Sequence, residues 1–169
     1  MIAPAPASRS RQGGCSLIGL SLALAAVSIG AAVTVPWMQQ RHFRERATAT
    51  QADLASFAAA FRAQANAHGE WPAGDGAAGT VPAGMSDALD SKHWQARTPL
   101  GGRYAWDTNS PQRGRRYRAA IVIVPDGDDR ATTDARPLRE LDRLIDDGNL
   151  ASGNLFLGFQ NQPVFALEP

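Results

Sequence analysis

Two hydrophobic patterns divide the chain. Between Gln12 and Gln40 no side chain is charged, and residues 15–38 are apolar apart from the hydroxyls of Ser16, Ser21, Ser28 and Thr34. At about 1.5 Å per residue a helix over that stretch reaches about 36 Å, more than the roughly 30 Å of a hydrocarbon core. The pattern therefore predicts a transmembrane helix over 15–38, with Pro36 kinking it rather than ending it. A second pattern follows. Leu54, Phe57, Ala58, Phe61 and Ala65 recur at helical spacing, while Asp53, Arg62 and Gln64 fall off that face. This is an amphipathic helix, and nothing between Met38 and Gln51 breaks it from the apolar segment. Residues 39–68 are thus expected to continue the same helix.

Gly69 and Pro72 close it, the glycine as a left-handed cap and the proline as a stop. Residues 69–169 then read as a globular α+β head. A glycine-rich loop covers 73–84, and Ser86 is the expected cap of a short helix ending near Trp94. Residues 98–106 read as a turn entering a strand. The β-branched run YRAAIVIVP over 117–125 is the clearest strand. A helix is expected over 137–147 with Leu138, Leu141, Leu144 and Ile145 on one face and Pro137 at its start. Strands over 155–159 and 164–167 flank an Asn-Gln-Pro turn. The fold class is α+β, with a long N-terminal helix packed on a small antiparallel sheet.

Composition sharpens this. The 169 residues hold 17 Lys+Arg, 16 Asp+Glu and one cysteine, so a disulfide within the chain and a multi-thiolate zinc site are both excluded. A mean hydropathy of −0.26 averages an apolar segment with a polar head. Every acidic residue lies after Gln40, so the head is balanced in charge and the first fourteen residues form a basic, acid-free leader. A secretory signal peptide fits poorly, because its nearest Ala-x-Ala, at 47–49, lies beyond Arg41, Arg44 and Arg46. A lipoprotein signal fails because the apolar run follows Cys15 instead of preceding it.

The join Arg11-Gln12-Gly13-Gly14-Cys15-Ser16-Leu17-Ile18-Gly19-Leu20 resembles the leader junction of type IV pilins and type II secretion pseudopilins. In that family a membrane peptidase cuts after the glycine, which implies cleavage between Gly14 and Cys15. The match runs through Ser16, Leu17, Ile18 and Leu20. Cys15 stands where phenylalanine is usual and Gly19 where glutamate is usual. That glutamate is thought to neutralise a neighbouring subunit's N-terminal amine, so its loss favours a minor or tip subunit, or assembly by packing alone. Gly19, Ala23, Ala26 and Gly30 form a small-residue stripe suited to close helix packing. The Trp-Pro after the helix and the Thr-Pro-x-Gly-Gly-x-Tyr segment also look like pseudopilin heads. The resemblance implies a pilin-like fold and a place in the bacterial inner membrane, single-pass, with a periplasmic head. It implies as partners other pilin or pseudopilin subunits, the prepilin peptidase, the inner-membrane assembly machinery and membrane lipid. The rival reading is a signal-anchored extracytoplasmic binding domain that does not polymerise.

Catalytic chemistry is absent from the motifs. His42, His68 and His93 lack ligand spacing, and no nucleophile elbow or phosphate loop occurs. The chain reads as a non-enzyme. Two acidic turns, 126–129 with Asp134 nearby and 146–149 followed by Ser152 and Asn154, offer oxygen ligands. Some pseudopilins bind calcium in a late loop, which makes Asp146, Asp147 and Asn149 the candidate calcium ligands. Turn formation by the same Asp-Gly and Gly-Asn pairs is the simpler account. Arg113, Arg115, Arg116 and Arg118 around Tyr117 could meet phosphates, but the balanced head disfavours nucleic acid as a partner.

Overall fold

The computed structural model describes residues 17–129 and 131–169; within its first helix the side chains of 17–19, 22, 23, 26 and 29–37 lie outside the description. The architecture is α+β, a long helix with a small antiparallel sheet. Helix α1, Leu17–His68, is one element. Gly69 takes a left-handed φ of +78° and its N–H donates to the Ala65 carbonyl at 2.8 Å, the expected cap. The chain divides into two compact units, residues 1–39 and 40–169.

Among the described residues no helix is long and apolar enough to cross a membrane. The expected single-pass placement in the inner membrane is corrected on that finding.

The second unit is built on four antiparallel strands in the order β1-β4-β6-β5. They are β1 (Arg103–Thr108), β4 (Ala119–Val124), β5 (Leu155–Leu157) and β6 (Pro163–Glu168). Between β1 and β4 a two-stranded hairpin forms from β2 (Pro111–Gln112) and β3 (Arg115–Arg116). Its turn, Arg113-Gly114, holds φ of +47° and +82°. Two positive values in succession match the twist of a tight hairpin. Tyr104 and Trp106 on β1 stand opposite Ile123 and Ile121 on β4, and Ile121 stands opposite Phe165 on β6.

The period of two along β4 sorts its side chains. Ala119, Ile121 and Ile123 join the main core, whereas Ala120 and Val122 join a smaller cluster with Tyr117, Phe156, Val164 and Ala166. Onto the main core α1 lays Leu54, Phe57, Ala58 and Phe61, all buried. The contact is largely aromatic. Phe61 stacks on Trp106 with centroids 3.8 Å apart, and Phe57 meets Trp94 and Tyr104 edge-on at 5.0 Å each. Each fully buried phenylalanine contributes roughly 1.5–3 kcal/mol by area alone. Buried indoles stay satisfied, since Trp94 Nε1 donates to the Thr80 carbonyl at 2.9 Å and Trp106 Nε1 to that of Pro72 at 2.8 Å. The loop that supplies them runs close beside β1. A Cβ on Gly74 would lie 2.5 Å from the Trp106 carbonyl oxygen, so only glycine allows this approach.

Two helices complete the unit. Helix α2 is Ser91–Gln95, later and shorter than expected, because the Asp90 carboxylate caps the His93 N–H and Ser86 does not start the helix. Helix α3 is Ala135–Ile145, capped by Asp134. It opens two residues before the predicted Pro137 because that cap, not the proline, sets the start.

Candidate functional site

Three places hold the residues that the sequence singled out. The first is the N-terminal half of α1. Leu20, Leu24 and Val27 fall on one helical face, and their relative exposures are 56%, 60% and 70%. Three aliphatic side chains in a row, each over half exposed, form a surface that burial against a partner would stabilise. The small residues Gly19, Ala23, Ala26 and Gly30 and the kink residue Pro36 all belong to α1, which does not end at the proline. Their side-chain surroundings lie outside the described residues, as do Gly14 and Cys15 altogether.

The second place is the loop after α3. Asp147 Oδ1 accepts from the Asn149 N–H at 2.8 Å, and Oδ2 from the Ser152 hydroxyl at 3.0 Å. Asp146 Oδ2 accepts from the Asn154 N–H, and Asn149 Oδ1 from the Ala151 N–H at 3.2 Å. These side chains tie successive Asx turns, with Gly148 and Gly153 supplying the left-handed positions at φ of +82° and +71°. Among the described residues no group of three or more His, Cys, Asp or Glu side chains is placed to hold a metal ion. The other acidic turn is likewise occupied. Asp126 pairs with Arg103, Asp129 with Arg97 at 2.7 Å, and Asp134 with Arg136 at 2.8 Å.

Beneath the second turn lies Asp142, fully buried, and among the described residues neither carboxylate oxygen has a hydrogen-bond partner. Burial, reinforced by the charges of Asp147 and Asp146, pushes its pKa up to about 6. The periodicity contained this signal. Leu138, Leu141, Asp142 and Ile145 share one narrow arc of α3, so the acid sits among core positions, while Leu144 falls off the arc and is exposed.

The third place joins three elements. Asp53 on α1 accepts from the Tyr104 hydroxyl of β1 at 2.8 Å and faces His93 Nε2 of α2 at 2.9 Å. Burial and then the Asp53 charge hold the Tyr104 hydroxyl protonated far above its ordinary range. A parallel pair lies at the far end of β1. There Tyr117 donates to Asp107 Oδ2 at 2.6 Å and Ser110 donates to Oδ1 at 2.7 Å, and burial raises the Tyr117 pKa. Neither arrangement offers a nucleophile with a base, and both consume their donors in joining elements. His42 and His68 are spent locally, on Glu45 at 3.6 Å and the Gln64 carbonyl at 3.0 Å.

Neither a protein-family model nor a curated protein matches the chain. The geometry is therefore the ground for a functional reading. Sequence reasoning picked out the small-residue stripe of α1 and missed the aliphatic row beside it, although Leu20, Leu24 and Val27 already carried the i, i+4, i+7 spacing.

Proposed function

We propose that this chain is a pseudopilin or minor pilin subunit of a type II secretion or type IV pilus-like filament, assembling through the N-terminal half of α1. The observation that carries the reading is the exposed row Leu20, Leu24 and Val27. A row of this kind in an isolated chain is an interface awaiting its partner, and copies of the same helix supply an equally apolar surface. Two features support it. The Gly14-Cys15 junction resembles a prepilin leader, and the C-terminal part of α1 packs on a small antiparallel sheet as the family's helix does on its head. The subunit is not an enzyme. Its partners are other subunits of the filament and the prepilin peptidase that removes residues 1–14. With glycine at position 19, docking depends on packing alone and not on a buried carboxylate, which suits a minor subunit.

N-terminal sequencing of the protein isolated from producing cells tests this. A mature chain beginning at Cys15 is expected. An intact Met1, or a start near Ala49, would overturn the assignment, and an intact Met1 would favour a binding domain that never polymerises.

A further inference from the structure

We propose that the head carries a binding cavity for a small oxyanion, a carboxylate or phosphate joined to a modest apolar group. The cavity, of about 540 Å³, opens between the β2–β3 hairpin, the first turns of α3, the loop after α3 and β5. That volume lies within the range of small-molecule sites. Arg113, Arg115 and Arg139 line it over an apolar floor that includes Leu150, Phe156 and Leu157, and none of its lining residues is acidic.

Each arginine arrives by a distinct device. Arg115 lies with its guanidinium carbon 4.3 Å above the Phe156 ring centroid, and its Nη2 donates to the Gly153 carbonyl at 2.7 Å. Its Nη1 is buried and has no hydrogen-bond partner among the described residues. A guanidinium fixed in place with one buried donor unpaired is costly for the empty protein, and an anion nearby supplies the missing counter-charge. Arg139 stands one helical turn after Ala135, so both fall on the face of α3 that borders the cavity. Among the described residues it has neither a hydrogen bond nor an ion pair, unlike Arg136 and Arg143 on the same helix. Arg113 occupies the hairpin turn at φ of +47°, where asparagine or glycine is preferred. Keeping arginine in that disfavoured conformation places a third guanidinium at the rim. Among the described residues it bonds only the neutral side chain of Asn161, at 2.8 Å.

Three cations without an acid among the lining residues, set over aliphatic and aromatic carbon, select the ligand chemistry. Guanidinium forks match the paired oxygens of carboxylate and phosphate, and the floor rewards an apolar body attached to them. Surface arginine pairs elsewhere in the head are already matched, Arg118 by Glu168 at 2.6 Å and Arg97 by Asp129 at 2.7 Å. Among the described residues, none of the three arginines that line the cavity is paired with an acid.

Calorimetric titration of the full chain at low ionic strength, with inorganic phosphate and separately with benzoate, decides the matter. Saturable binding of at least one probe is expected. Phosphate alone would identify a phosphate ligand, benzoate alone an apolar carboxylate, and both would support the shared oxyanion chemistry. Arg139→Gln, at an exposed position with no hydrogen bond or ion pair to lose among the described residues, should weaken binding at least tenfold, and Arg115→Lys similarly. Arg116→Gln, outside the cavity, should leave it unchanged. Failure of both probes to bind, or equal binding by the wild type and Arg139→Gln, would overturn the proposal.

Discussion

Asp142 is the residue whose chemistry and surroundings conflict most. Its carboxylate is buried on the core arc of α3 without a hydrogen-bond partner, and the nearby Asp146 and Asp147 oppose its ionisation. An ordinary aspartate in the unfolded chain loses its proton near pH 4, whereas this one holds it to about 6. Between those values the folded state carries a proton that the unfolded state has released. Stability from this group therefore falls as pH rises through the window, and is unpenalised below about pH 4. Asp142→Asn, which cannot ionise, should gain stability on the order of 2 kcal/mol over the wild type at pH 7 and almost none at pH 4. Thermal unfolding of both proteins across that range measures it. A difference that does not vary with pH would refute the burial of a charge as its cause.

At the scale of elements, one carboxylate joins three of them. Asp53 receives the Tyr104 hydroxyl from β1 and meets His93 from α2, so it ties α1 to both. Asp53→Ala strands a hydroxyl on a tyrosine that is almost wholly buried, at a cost of about 1–3 kcal/mol. Tyr104→Phe removes donor and need together and should cost less. In the double variant the losses should be less than additive by at least about 0.5 kcal/mol, as a double-mutant cycle in denaturant would report. Full additivity would mean the bond contributes nothing.

The elements themselves were unequally legible. The amphipathic half of α1 and its glycine cap could be read because Leu54, Phe57, Ala58 and Phe61 repeat at 3.6 and Gly69 can adopt a positive φ. Strand β4 was visible from its β-branched run. The β2–β3 hairpin was not, since Arg-Gly is a poor advertisement for a turn that asparagine usually opens. The start of α2 was misplaced because Ser86 and Asp90 are both competent caps, and only tertiary packing of Trp94 selects between them. The acidic loop was visible as residues, but not the bonds its carboxylates accept from the N–H groups of Asn149 and Asn154, which a sequence does not display. The arginine cavity was half visible. Arg113 and Arg115 stood out as a run, but Arg139 joins them only through the fold.

For the whole molecule, the core and the proposed assembly surface fall in different units. Every residue of the main core lies between Ala47 and Leu167, within the second unit, while Leu20, Leu24 and Val27 belong to the first. Replacing these three by serine should therefore leave the unfolding transition of the head within about 0.5 kcal/mol of the wild type, as for surface changes remote from a core. Its effect should fall on self-association. With the filament components co-expressed, oxidation through Cys15 should cross-link copies of the wild type, and the triple variant should lose most of that product. The single cysteine makes the readout clean, because no other thiol in the chain can form the disulfide. Single changes should act by degrees, since each aliphatic side chain adds its own buried area to the contact. Undiminished cross-linking in the triple variant would show that the row is not the assembly surface. A lowered head transition would show instead that the two units are energetically coupled, and that the exposed row contributes to folding as well as to assembly.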